Sequence, residues 1–435
     1  MSQLCCCSGW VLIILLAIGY PFYRQLRRRP SDEPPPPPED LAGKAMAIAR
    51  LREHDPAFDE AAFAGRVNVA FGKIQAAWCA QDLRAVRPFI SDGVFERFSL
   101  QFVEQKAEGY RDHMEAIRVT DIRIAAVSSP GVFDELTVRI TAVARDWRES
   151  LADNSRLSGS GALESFTEYW TFLRRRGAVT DASRAGLIEG NCPNCGAPIE
   201  MSQSANCASC KALLRSGTYD WVLTEITQAS EWSPRTEDSL PGVARLRERD
   251  PNFDVAGLED RASVIYWRKA TADRTGKIDA LAKVALPQFA QRHEATLLPP
   301  TVTRTFIADT AVGSVQTLGV FTNGDWDRAL VEIKWSGHQF ASDPSGAITR
   351  TGQESWAATL FVLTRQRSAP SDAGWGISSA HCPTCGAPES INASSACEFC
   401  GTVLNDGLHG WLLEDLWDRN DPMADRWIQR MNRDA

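Results

Sequence analysis

Eight cysteines in two matched clusters constrain this chain more than any other feature. Cys192-Pro193-Asn194-Cys195-Gly196 is followed by Cys207-Ala208-Ser209-Cys210, and Cys382-Pro383-Thr384-Cys385-Gly386 by Cys397-Glu398-Phe399-Cys400, with eleven residues between the paired cysteines in both. A C-x-x-C turn presents two thiolates to one ion, and the glycine after it permits the positive φ the turn needs. Two such turns close a tetrahedral shell with no open position for a substrate, the arrangement of a structural zinc site. The spacer is shorter than the usual zinc template, which implies a compact ribbon. Disulfides and a rubredoxin-like iron centre are the alternatives that the spacing leaves open. The eight cysteines are thus expected to hold two structural Zn2+ ions in ribbons spanning 190–215 and 380–405. His381 adjoins Cys382, but Asn191 holds that place in the first cluster, so no fifth ligand is expected.

The clusters sit in two repeated halves. Arg50-Leu51-Arg52-Glu53-His54-Asp55-Pro56-Ala57-Phe58-Asp59 returns as Arg245-Leu246-Arg247-Glu248-Arg249-Asp250-Pro251-Asn252-Phe253-Asp254, an offset of 195. Glu164-Ser165-Phe166 returns as Glu354-Ser355-Trp356, and Trp221 as Trp411, at an offset of 190. In the first half Phe63, Val67, Phe71, Ile74 and Trp78 form one helical stripe after the N-cap candidate Asp59. In the second half Lys269 and Asp273 replace Ile74 and Trp78, so that helix must end sooner or meet a more polar neighbour. Strands are expected over 119–127 and 133–143 about the turn signal Pro130-Gly131, and over 166–173, with echoes at 329–334 and 356–363. Helices first and antiparallel strands later predict an α+β layer structure in each half, with the ribbon inserted between the last two strands. Acids from Glu53 to Glu60 read as a solvated helix start, and Cys79 as a buried helix residue.

The N-terminal end points to a membrane. From Leu4 to Phe22 no side chain is charged, long enough for a single span, and Arg24, Arg27, Arg28 and Arg29 follow it. The positive-inside rule then keeps the C-terminal bulk in the cytoplasm, a reducing compartment suited to free thiolates. Pro30 and Pro34 to Pro38 read as a stiff spacer. The expected layout is an anchor at 1–23, a linker at 24–44, one domain at 45–230, a linker at 231–243, a second domain at 244–418 and a tail at 419–435.

The order D-P-x-F-D, long amphipathic helix, Ala77-Trp78 with Asp82-Leu83, hairpin, Glu168-Tyr169-Trp170-Thr171-Phe172, then Trp221-Val222-Leu223 resembles the mitochondrial import inner-membrane translocase subunit 44-like family. The first half carries the resemblance across roughly 45 to 228, and the second more weakly across 240 to 416. It implies two tandem cone-shaped domains of the nuclear transport factor 2 type, membrane association and protein partners. A bacterial inner-membrane member fits the arginine-rich composition.

Reactive motifs are missing: no P-loop, dinucleotide fingerprint, nucleophile elbow or H-E-x-x-H occurs, and the six histidines are scattered. The formal charge of −8 falls to near −12 once the four N-terminal arginines are set aside, and neither ribbon carries a basic patch, so no nucleic-acid partner is expected. The sequence therefore predicts a membrane-tethered, non-enzymatic scaffold with unidentified protein partners. The alternatives are a small-ligand binder or enzyme using the cone pocket, and nucleic-acid binding through the ribbons. Inward strand positions read as Leu, Val, Ile and aromatics, which argues against the enzyme.

Overall fold

A computed structural model describes residues 41–435 apart from 130, 182, 200–205, 230–231, 233–239, 372–376 and 378. The expected membrane span and proline run lie outside the described residues, and no described helix is long and apolar enough to cross a membrane. Each half opens on a helix that the sequence reading did not anticipate, α1 (Leu41–His54) in the first. Asp59 then caps α2 (Glu60–Ala80), its carboxylate accepting the Ala62 N–H at 2.7 Å. Phe63, Val67, Phe71 and Ile74 are buried along one side, and Trp78 is half-buried. Ser91 caps α3 (Asp92–Glu108).

Four long strands follow, together with a short one: β1 (Tyr110–Ser128), β2 (Phe133–Ser150), β3 (Arg156–Ser158), β4 (Glu164–Arg175) and β5 (Val222–Gln228). They form an antiparallel sheet in the order β1-β2-β4-β5, with β3 paired to β2. β1 and β2 flank the Pro130-Gly131 signal as expected but run several residues further. Register shifts between Glu115 and Arg118 and between Val119 and Asp121 break the alternation that would have exposed this in the sequence. The first ribbon is inserted between β4 and β5.

The second half repeats the plan: α4 (Val243–Arg249), α5 (Val255–Thr275), α6 (Pro287–Glu294), β6 (Arg304–Asn323), β7 (Trp326–Ser342), β8 (Ile348–Gln366) and β9 (Leu412–Asp418). Its sheet runs β6-β7-β8-β9, again antiparallel, with the second ribbon between β8 and β9. α5 is 21 residues long, like α2, and is capped by Asp254. It does not end early. Instead the polar alternative holds, because Lys269 pairs with Asp273 at 2.6 Å and Asp273 meets His293 of α6 at 2.8 Å. The expected tail contains α7 (Pro422–Asp434), whose Ala424 and Met431 join Phe321, Leu330, Leu360 and Val362 in an apolar cluster.

The two cores interpenetrate. Leu100 of α3 belongs to the core of the second half, while Ala256 of α5 belongs to that of the first. The Asp254 carboxylate caps α5 and also accepts the Val132 N–H from the first half's hairpin at 3.2 Å. The halves therefore share one packed joint, built on α3 and α5.

Candidate metal centres and the joint between the halves

Each ribbon brings its four cysteines together. Cys192, Cys195, Cys207 and Cys210 have their sulfurs within 4.8 Å of one another, and so do Cys382, Cys385, Cys397 and Cys400. All eight are free thiols. Sγ–Sγ distances are 3.7 Å for Cys192–Cys210, 3.9 Å for Cys195–Cys207, 3.5 Å for Cys382–Cys400 and 3.7 Å for Cys385–Cys397. A tetrahedral thiolate shell about 2.3 Å from zinc has edges of about 3.8 Å, whereas a disulfide needs about 2.05 Å. The donor set therefore fits a metal and not two disulfides.

Backbone turns hold the sulfurs in place. The Gly196 N–H donates to the Cys192 carbonyl at 2.7 Å and the Gly386 N–H to the Cys382 carbonyl at 2.8 Å, with φ of 77° and 73° at the two glycines. The second turn of the first ribbon places Lys211 at φ 64°, where the second ribbon has Gly401. Burial pushes the Cys192 and Cys382 thiols up to about 12. The Ala212 amide, with Asn194, draws Cys210 down to about 6, and the Thr402 hydroxyl and amide do the same for Cys400. One cysteine of each shell thus resists ionisation until a cation compensates its burial, and another is a thiolate in advance.

Equivalent basic residues of α2 and α5 tether the ribbons. Arg66 contacts Glu189 and Asp220 at 3.0 and 2.7 Å, and Lys73 donates to the Ile188 carbonyl at 2.5 Å. In the second half Arg261 donates to the Trp411 and Ser379 carbonyls, and Arg268 pairs with Glu389 at 2.7 Å. The second ribbon makes most of the contacts across the joint, and the first meets it there through Arg215. Asp92, fully buried at the first turn of α3, accepts from the Ala380 N–H at 2.6 Å and meets His381 Nδ1 at 2.7 Å. His381 Nε2 in turn lies 2.8 Å from Arg215 of the first half. Burial alone would raise the Asp92 carboxyl, but His381, Arg87 and Arg215 hold it well below the usual range. Arg268, 1% exposed, also binds Glu96 of α3 at 3.0 Å, and Asp260 bridges the Gly93 N–H and the Ser379 hydroxyl.

Three expectations are corrected. Asp55 is not solvated but fully buried, because it pairs with Arg174 and accepts from Thr180. Cys79 is half-buried, since the end of α2 rises toward solvent. His381, which was not expected to be a fifth ligand, lies outside the cysteine group and sits in the joint. The inward strand face is not wholly apolar either: Asp146 and Glu168 line a cavity that Asp309, Thr310 and Ala311 of the second half close. Sequence reasoning also missed Arg66, Asp92, Arg174, Arg268 and Glu389. A signal existed for some of them, because Arg66 and Lys73 recur as Arg261 and Arg268 at the offset of 195.

Residues 44–184 match the Tim44-like domain. The match runs from α1 through β4 and ends before Cys192, so the resemblance read from the first half is correct. The ribbons and the second half lie outside the matched residues. No curated protein matches the chain.

Proposed function

We propose that this chain is a membrane-tethered scaffold that binds proteins through two zinc-stabilised, Tim44-like cones and performs no chemistry of its own. The Tim44-like match of residues 44–184 carries the reading, which links the protein to membrane protein transport or assembly. In this reading each half is a cone, with its long helices against the curved sheet, and residues 4–22 span the bacterial inner membrane with the bulk in the cytoplasm. Each ribbon holds one Zn2+ through Cys192, Cys195, Cys207 and Cys210 or through Cys382, Cys385, Cys397 and Cys400. The ion there neutralises a closed shell of thiolates and folds a module too small to bury a core. Exposed Ile391, Phe399 and Val403 give the second ribbon an apolar tip suited to protein contact.

Proximity labelling from the C-terminus in native membranes tests the scaffold. A defined set of enriched membrane proteins, lost when residues 1–23 are removed, is expected; a labelling pattern equal to that of the free labelling enzyme would refute it. Metal analysis of the purified full chain should give two zinc ions, and iron would overturn the assignment. A C-terminal phosphatase fusion, active only outside the inner membrane, should stay silent.

A further inference from the structure

The second half reaches into the first at an irregularity of its edge strand. β6 pairs with β7 through Ala308 opposite His338 and through Ala311 opposite Ser336, so Asp309 and Thr310 together face the single residue Gly337. Such a bulge leaves backbone groups outside the ladder and re-aims the strand. Asp309 has a φ of 55°, left-handed for a residue that is not glycine. A Cβ on Gly337 would stand 2.6 Å from Ile307 Cγ2 and 3.3 Å from Thr310 Oγ1, so the glycine opposite leaves room for the bulge. The first half has a like irregularity in β1, where Ala116 has a φ of 52°.

The groups that the bulge frees turn to α3 of the first half. The Asp309 N–H donates to Glu104 Oε2 at 3.0 Å, and the Thr310 carbonyl accepts from Gln101 Nε2 at 3.1 Å. Asp309 Oδ1 also lies 3.7 Å from Arg148 Nη2 of β2. These contacts hold one wall of a cavity of about 180 Å³. Trp78, Phe98 and Trp170 of the first half give it aromatic walls, and Asp309, Thr310 and Ala311 close it from the second. A dry engineered cavity of about 150 Å³ accepts benzene, so this space holds one ring but not the chain that carries it. A side chain still attached to its own backbone must therefore come in through a wall, and the bulge is the wall held by the fewest contacts with the rest.

We propose that the bulge at 308–311 is a plug: the second half keeps the aromatic interior of the first closed, and an apolar side chain of a protein partner enters only when the bulge withdraws. Two hydrogen bonds and one long ion pair hold it, contacts that open locally at far smaller cost than a packed core. The proposal rests on the scaffold reading for what enters. The experiment below reads the plug itself, so either can fail without the other.

Alkylation by iodoacetamide, read cysteine by cysteine with mass spectrometry on the zinc-loaded full chain in micelles, tests it. Ile74→Cys puts a thiol on the cavity wall, and Val67→Cys puts one on the same helix outside that wall; both positions are buried. Gln101→Ala combined with Asp309→Gly removes one hydrogen bond and the ion pair, and gives the left-handed position the residue that suits it. In that background the Ile74→Cys thiol should react at least about tenfold faster, while the Val67→Cys thiol keeps its rate. If the combined variant has a lower unfolding midpoint, Gln101→Ala alone decides by the same comparison. An Ile74→Cys thiol that reacts like an exposed cysteine with the joint intact, one whose rate is unchanged in the variant, or one that speeds up together with Val67→Cys would each overturn the plug.

Discussion

Asp55 Oδ2 lies 2.7 Å from Arg174 Nη2, both side chains are buried, and the guanidinium sits over the Trp221 ring, 4.4 Å from its centroid. The second half rebuilds the relationship with Asp250 and Arg365 at 2.6 Å and Trp411 at 4.7 Å. Thr180 and Ser371 close the two carboxylates with their amides and hydroxyls. The first aspartate of the D-P-x-F-D motif thus ties the end of one strand to the loop that leaves it. Asp55→Ala leaves a guanidinium buried without its carboxylate, and the first half should lose about 3–5 kcal/mol. Denaturant unfolding checks this, and a loss below about 1 kcal/mol would show that water reaches Arg174.

The ribbons should respond unequally to loss of metal. Cys195→Ser and Cys385→Ser should each release one ion. The second should loosen the joint more, because Ala380, His381 and Glu389 hold Asp92 and Arg268 from that ribbon, whereas the first reaches Asp92 and His381 through Arg215 alone. Hydrogen exchange at the amides of α3 reads this out. Faster exchange in Cys385→Ser than in Cys195→Ser is expected, and equal protection in both would mean that the apolar contacts of Leu100 and Ala256 suffice.

Stability should fall as pH rises from 6 to 8.5. Burial pushes the Glu104 carboxyl up to about 8, offset only in part by Arg274, and pushes Glu108 to about 7 and Asp112 to about 6. Each group binds its proton more tightly folded than unfolded, so its contribution is complete below the unfolded carboxyl range and is lost as pH climbs through the folded value. Asp92 and Asp55, shifted the other way, act only at lower pH. A loss of about 2 kcal/mol would lower the thermal midpoint by about 4–8 °C. Glu104→Gln keeps an acceptor for the Asp309 N–H and should flatten the profile. An unchanged profile would place the proton uptake elsewhere.

Much of this was legible in the chain because periodicity and repetition are local signals. The stripe from Phe63 to Trp78, the hairpin about Gly131 and the eight cysteines needed no tertiary knowledge. The residues that remained hidden act across long separations. Asp92 and His381 are 289 positions apart. The acids that line the first cavity were read as absent because Asp146 and Glu168 follow inward positions filled by Ala144 and Phe166. A long-range ion pair has no sequence period, and only duplication gave any hint of one, at Arg66 and Arg261.

Placing each ribbon before the final strand sets an order of events as the protein is made. β5 cannot pair with β4 until residues 176–221 have emerged and folded back, and β9 awaits residues 367–411 in the same way. Closing about 45 slack residues costs more chain entropy than closing a span already knotted by an ion. Metal capture during synthesis would therefore come first and sheet completion second. A cell starved of zinc should accumulate chains whose helices have formed but whose last strand is still unpaired, leaving a bare sheet edge open to aggregation.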